Sequence, residues 1–141
     1  MTIDLETART VIAAARAKAK DTDCKPMTVV VLDAGGHVLA VEREDGAANK
    51  RFEIAFGKAH GALALGLGSR ALMARAEQQP YFIAAAAAAI GGALVPVPGG
   101  VLVYDGDALV GAVGVTGDTS DKDEVVAVAG IEAAGLTAQT G

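Results

Sequence analysis

Chemistry in this chain has to start from few side chains, because its 141 residues contain only two histidines and one cysteine. His60 is the more suggestive histidine. An imidazole offers a lone pair to a metal and exchanges a proton near neutral pH. Gly57 and Gly61 flank it on a helical pattern, so little side-chain bulk would obstruct a flat ligand lying there. Phe56, four residues earlier, is placed to stack on the imidazole or on such a ligand. The alternative is a surface or subunit-packing histidine on a glycine-notched helix. His37 follows a Gly-Gly turn at the start of a strand, where a side chain usually points to solvent. Met73 and Tyr81 are conceivable further ligands, but a lone Met or Tyr beside a helix is nearly always core.

A second group is charged. Arg51 and Lys58 share a helix face two turns apart and could meet an anionic ligand, or simply be solvated. Arg43 with Asp45 borders the first hairpin, either as an ordinary salt bridge or as the polar end of a small-ligand site. Asp33 is expected to hold the amides of its own turn. Two glycines in Pro98-Gly99-Gly100 permit backbone N–H groups to face an anion, or equally permit close packing of helix on sheet. No nucleophile elbow, zinc-protease motif, P-loop or dinucleotide fingerprint is present.

These residues need a scaffold, and the hydrophobic pattern supplies one. Asp4 caps a helix to about Lys20, with Leu5, Ala8, Ile12, Ala15 and Ala19 on one face. Thr28 to Leu32 and His37 to Glu42 form a hairpin around Asp33-Ala34-Gly35-Gly36. A helix from about Asn49 to Ala64 carries Phe52, Ala55, Phe56, Ala59 and Leu63 on its apolar stripe. Ser69 is expected to cap a shorter helix to about Ala76, and Pro80 to open another through the alanine run. A second hairpin joins Val101–Tyr104 to Leu109–Val115 around Asp105-Gly106-Asp107. Ser120 and Asp123 then read as a capping-box-like helix start, and Ala127, Val128, Ile131 and Ala134 as that helix's inner face. Hairpins in place of strand–helix–strand crossovers imply an antiparallel sheet with helices packed on it.

Composition bounds the function. Hydrophobic residues make up 52% and charged residues 21%, which suits one globular domain. There are 31 alanines and 18 glycines but no tryptophan, so apolar area per residue is small and burial in an oligomer would add to it. A net charge of −5 without a basic run argues against nucleic-acid or anionic-membrane partners. Cys24 alone can form neither an internal disulfide nor a cysteine-based zinc site. Charges interleaved through the first twenty residues are unlike a signal peptide, and the Ala-rich stretch from Tyr81 to Val97 is broken by Gly91-Gly92 and Pro96, so a cytoplasmic location is expected.

Five segments in register resemble the GlcG/HbpS-like family, which also includes the C-terminal domain of PduO-type proteins. They are Val31 to Val38 (VLDAGGHV), Glu42 to Ala47 (EREDGA), Pro96 to Val101 (PVPGGV), Val110 to Gly117 (VGAVGVTG), and Asp123-Glu124 with Ala129-Gly130-Ile131. The resemblance implies a profilin-like α+β fold over residues 1–141: a five-stranded antiparallel sheet with helices on both faces. Four strands are evident, and the fifth is expected as a short one near Leu94 to Pro96. The resemblance further implies a homo-oligomer and haem as the leading ligand, for storage, sensing or breakdown. His60 would then be the axial ligand of the haem iron, with Phe56, Gly57, Gly61, Pro98, Gly99 and Gly100 around it. Lys58 matches a basic position of the family and, with Arg51, could meet propionates. One rival reading is a small catabolic enzyme acting on a carboxylate-bearing compound through Arg43, Asp45, Lys58 and the Pro98-Gly99-Gly100 loop. Another is a non-catalytic assembly subunit.

Overall fold

Thr28–Asp33 is β-branched and apolar, and it becomes a strand, β1, buried almost throughout. The computed structural model describes residues 2–141. Around β1 it builds a five-stranded antiparallel sheet in the order β2-β1-β4-β3-β5, with β2 Val38–Arg43, β3 Gly100–Asp105, β4 Ala108–Thr116 and β5 Thr137–Gln139. Both expected hairpins are present. The helices are α1 (Leu5–Asp21), α2 (Arg51–Leu65), α3 (Ser69–Gln78), α4 (Pro80–Ala89) and α5 (Ser120–Ala133).

Strand alternation divides the core into two layers. Val29, Val31, Val101, Val103, Val113 and Val115 face α1 and α5. Val30, Leu32, Leu102 and Ala112 face α2 through Ala55, Ala59 and Ala62. Small residues let α2 lie close to the sheet: a Cβ built on Gly114 of β4 would collide with the carbonyl of Ala55. α3 and α4 close a satellite cluster of Leu72, Ile83 and Leu94.

Three local expectations are corrected. The fifth strand is not Leu94 to Pro96, which has no ladder partner; it is the C-terminal Thr137–Gln139, paired with Leu102–Tyr104 of β3. Ser69 does not cap α3. The cap position is Gly68, and the Ser69 hydroxyl turns inward, accepting from Gly100 N at 2.7 Å and donating to Gly100 O at 3.2 Å. α5 is capped by Thr119, whose Oγ1 accepts from Lys122 N, while Asp123 is buried for another purpose.

Candidate functional site around His60

His60 lies in the penultimate turn of α2, and its ring is held from two sides. Phe56, one turn earlier, stacks on it with centroids 5.1 Å apart and planes inclined by 22°; Phe52 extends the stack at 5.8 Å from Phe56. Nδ1 lies 2.9 Å from the carbonyl oxygen of Ala93. A carbonyl only accepts, so Nδ1 is the donor and Nε2 keeps the lone pair of the neutral ring. Nε2 has no hydrogen-bond partner among the described residues. Cδ2 of the ring, next to Nε2, faces the first hairpin turn, where a Cβ built on Gly36 would lie 3.7 Å from it. Ala34, Gly35, Gly36, His60, Leu63 and Ala64 line a cavity of about 240 Å³ there. Ligating histidines commonly show this arrangement, one nitrogen held by a backbone carbonyl and the other left open.

Gly57 and Gly61 serve a different end from the one expected. They open no face to a ligand, because the chain after α4 lies on them. A Cβ on Gly57 would come within 2.6 Å of Val95 Cγ2, and one on Gly61 within 3.1 Å of Leu94 Cγ. Val95 N donates to Gly57 O at 3.1 Å, completing the clamp that brings Ala93 to His60. The glycines therefore position the carbonyl that orients the imidazole.

Pro98, Gly99 and Gly100 are likewise buried. The N–H of Gly100 is taken by Ser69, and Cβ atoms on Gly99 or Gly100 would strike Lys58 and its backbone. This loop is a packing surface, and not an anion nest open to solvent. Beneath it lies Lys58, 1% exposed. Its Nζ donates to Asp123 Oδ2 at 3.0 Å and to Val115 O at 2.9 Å, and Asp123 Oδ1 accepts from Asp118 N. Burial pushes the Lys58 ammonium down and the Asp123 carboxyl up, each opposed by the attraction of the other. Lys58 is thus neither solvated nor free to meet a ligand. It ties α2 to the start of α5 around the end of β4.

The other candidates do not assemble into one catalytic group. Arg43 donates to Ala47 O, and Arg51 donates to Thr116 Oγ1 on the α2 side. Asp45 borders a groove of about 700 Å³ between α1 and β2, where Arg16 bridges Glu42 and Glu44 and Cys24 lies half-buried. His37 is 81% exposed, with Nδ1 3.2 Å from Asp33 Oδ1. Asp33 holds its turn as expected, accepting from Gly35 N and His37 N, which keeps its carboxyl below the usual range. Tyr81 is exposed on α4, away from any core position. Sequence reasoning missed the Lys58–Asp123 pair. Its signal was there: Lys58 falls three and four residues from buried Ala55 and Ala62, as Asp123 does from Val126 and Ala127.

With fold and site in view, the class follows. The sequence matches the family model for haem-degrading HbpS-like proteins over residues 3–132, and the chain belongs to that family. Among solved structures it is similar to HbpS of Streptomyces reticuli in a double-mutant form, at 28% identity and TM-score 0.80, covering 94% of this chain and 86% of that one. It is also similar to the Klebsiella pneumoniae protein ORFY, at 26% identity and TM-score 0.87, covering 96% and 92%. A PduOC–haem complex shares the fold at 23% identity and TM-score 0.85, covering 96% and 97%. No curated protein matches the sequence. No helix among the described residues is long and apolar enough to cross a membrane.

Proposed function

We propose that this protein binds haem, for storage, sensing or breakdown, with Nε2 of His60 as axial donor to the iron. The observation that carries the reading is the His60 ring itself: Nδ1 fixed by Ala93 O, one face on Phe56, Nε2 without a partner among the described residues, and the neighbouring Cδ2 against the Gly36 turn. Haem iron takes an imidazole donor whose basicity and orientation are set by the hydrogen bond on its other nitrogen. Membership of the HbpS-like family supports the ligand class, as does the solved complex of PduOC with haem.

The donor set fits haem and the space fits it in part. About 240 Å³ is below the roughly 300–1,000 Å³ of a ligand pocket. In this reading a second copy of the chain supplies the other wall, and the site is complete only in a homo-oligomer. Exposed apolar side chains such as Tyr81, Phe82 and Val38 are consistent with association. Bound haem would supply the redox and oxygen chemistry; the chain orients His60 through Ala93 O and stacks Phe56 on its ring.

The test is haemin titration of purified protein, followed by the Soret band and by light scattering. Expected are a saturable Soret shift in an oligomer, its loss or displacement in His60→Ala, and weaker binding in Phe56→Ala, where stacking contributes about 0.5–1.5 kcal/mol. Unsaturable binding, or wild-type spectra in His60→Ala with unchanged far-UV signal, overturns the assignment.

A further inference from the structure

The end of the sheet beside the start of α2 holds a second polar arrangement. Thr28 is the cross-strand partner of both Arg43 and Thr116, so the three stand in a row across β2, β1 and β4. Such partners share a face, with Cβ atoms about 4.5–5.5 Å apart. The face is the α2 side, because Val30, two residues beyond Thr28, and Val41, two before Arg43, both belong to the core beneath α2. Arg51, the first residue of α2, reaches the same row and donates Nη1 to Thr116 Oγ1 at 2.9 Å.

Two features here lack a counterpart. Thr28 is fully buried, and among the described residues its Oγ1 is the one buried side-chain polar atom without a hydrogen-bond partner. A buried hydroxyl left that way carries an uncompensated desolvation cost. In addition, neither Arg43 nor Arg51 has a carboxylate within ion-pair distance among the described residues, although the chain has 17 acidic residues to 12 basic. Arg16 and Arg70, by contrast, each hold two carboxylates. The single side-chain hydrogen bonds of Arg43 and Arg51 leave most of each guanidinium's donors available. The charge of Arg51 is also felt at Lys58, which has Asp123 as its ion-pair partner. α2 begins without a side-chain cap. Guanidiniums, hydroxyls and the positive end of a fifteen-residue helix are together the chemistry of oxyanion recognition.

We propose that Arg43, Arg51, Thr28 and Thr116 form a binding site for a small oxyanion, a carboxylate or phosphate group. The ion meets the guanidiniums from the exposed Arg43 side, and rotation of these long side chains brings it to Thr28 Oγ1. This site is distinct from His60. Nine residues of helix separate Arg51 from His60, about 13.5 Å along the axis and half a turn around it, so the proposal does not depend on haem binding.

The experiment is thermal unfolding of the full chain in sodium acetate, sodium phosphate or sodium chloride at matched ionic strength. One or both oxyanions should raise the midpoint saturably beyond chloride, by about 4–5 °C at ten times Kd; the stronger one identifies the carboxylate or phosphate source. Thr28→Val removes the orphan hydroxyl, so the free protein should be at least as stable as wild type while the oxyanion-specific shift shrinks. Arg51→Gln and the surface change Arg43→Gln should each weaken binding about tenfold, and His60→Ala should leave it intact. The proposal fails if neither oxyanion exceeds chloride, if the Thr28 and Arg51 variants respond as wild type, or if His60→Ala removes the effect.

Discussion

Replacing Lys58 by Met keeps the length and most of the packing of the side chain while removing its charge. The residue is 1% exposed and so is Asp123, so the variant leaves a carboxylate stranded in the interior, with backbone N–H groups such as that of Asp118 as its remaining donors. Removing one partner of a buried pair costs about 3–5 kcal/mol. For a chain of this length the unfolding entropy is about 0.3 kcal/mol/K, so the melting temperature should fall by roughly 10–17 °C. In Lys58→Met/Asp123→Asn no charge is stranded and the amide oxygen still accepts from Asp118 N, so at least about 1.5 kcal/mol of the loss should return. The pH dependence has a definite sign. Burial already raises the Asp123 carboxyl, and losing Lys58 raises it further against the backbone N–H donors that remain, so the folded state takes up the proton more readily than the unfolded chain. The deficit of Lys58→Met should therefore shrink as pH is lowered from neutral toward the raised Asp123 value. Urea unfolding at several pH values measures all three quantities. A single-variant loss below about 1 kcal/mol, or a double variant as unstable as the sum of the singles, would refute a buried, paired Lys58.

Gly100→Ala places a methyl group against the backbone carbonyl of Lys58 and near the Ser69 hydroxyl, so α2 and β3 must separate; destabilisation of about 3 kcal/mol or more is expected from thermal melts. Gly91→Ala meets open space, so its cost should be about 1 kcal/mol, from its positive φ alone. Asp118 accepts from Lys25 N and Thr119 N, which holds its carboxyl below the usual range. Its stabilising contribution is therefore present above the unfolded carboxylate value, about 3.9, and is lost as pH falls through the depressed one; Asp118→Asn should flatten stability against pH below about 4, measured by urea midpoints.

Local periodicity and turn chemistry determined most of the framework from sequence alone. The Asp4 cap, the two glycine-containing hairpins, the α2 stripe and the Pro80 helix start are all decided within a few residues, by groups that reach their own neighbours. The His60–Phe56 stack was legible for the same reason, since residues four apart on a helix are adjacent. Only tertiary structure decided the rest. β5 has three residues, too few for a period, and it is a strand because β3 offers an open edge. Ser69 had a cap's sequence context but found a better partner in Gly100, thirty-one residues on. Lys58 read as a cation that either meets a ligand or is solvated, whereas Asp123, sixty-five residues away, pairs with it in the interior. Gly57 and Gly61 suggested room for a ligand, whereas the returning segment at Leu94 and Val95 fills that room and sets the carbonyl that orients His60. In each case the deciding contact joins residues distant in sequence, and a charge, a hydroxyl or a missing side chain carries no record of which distant partner will meet it.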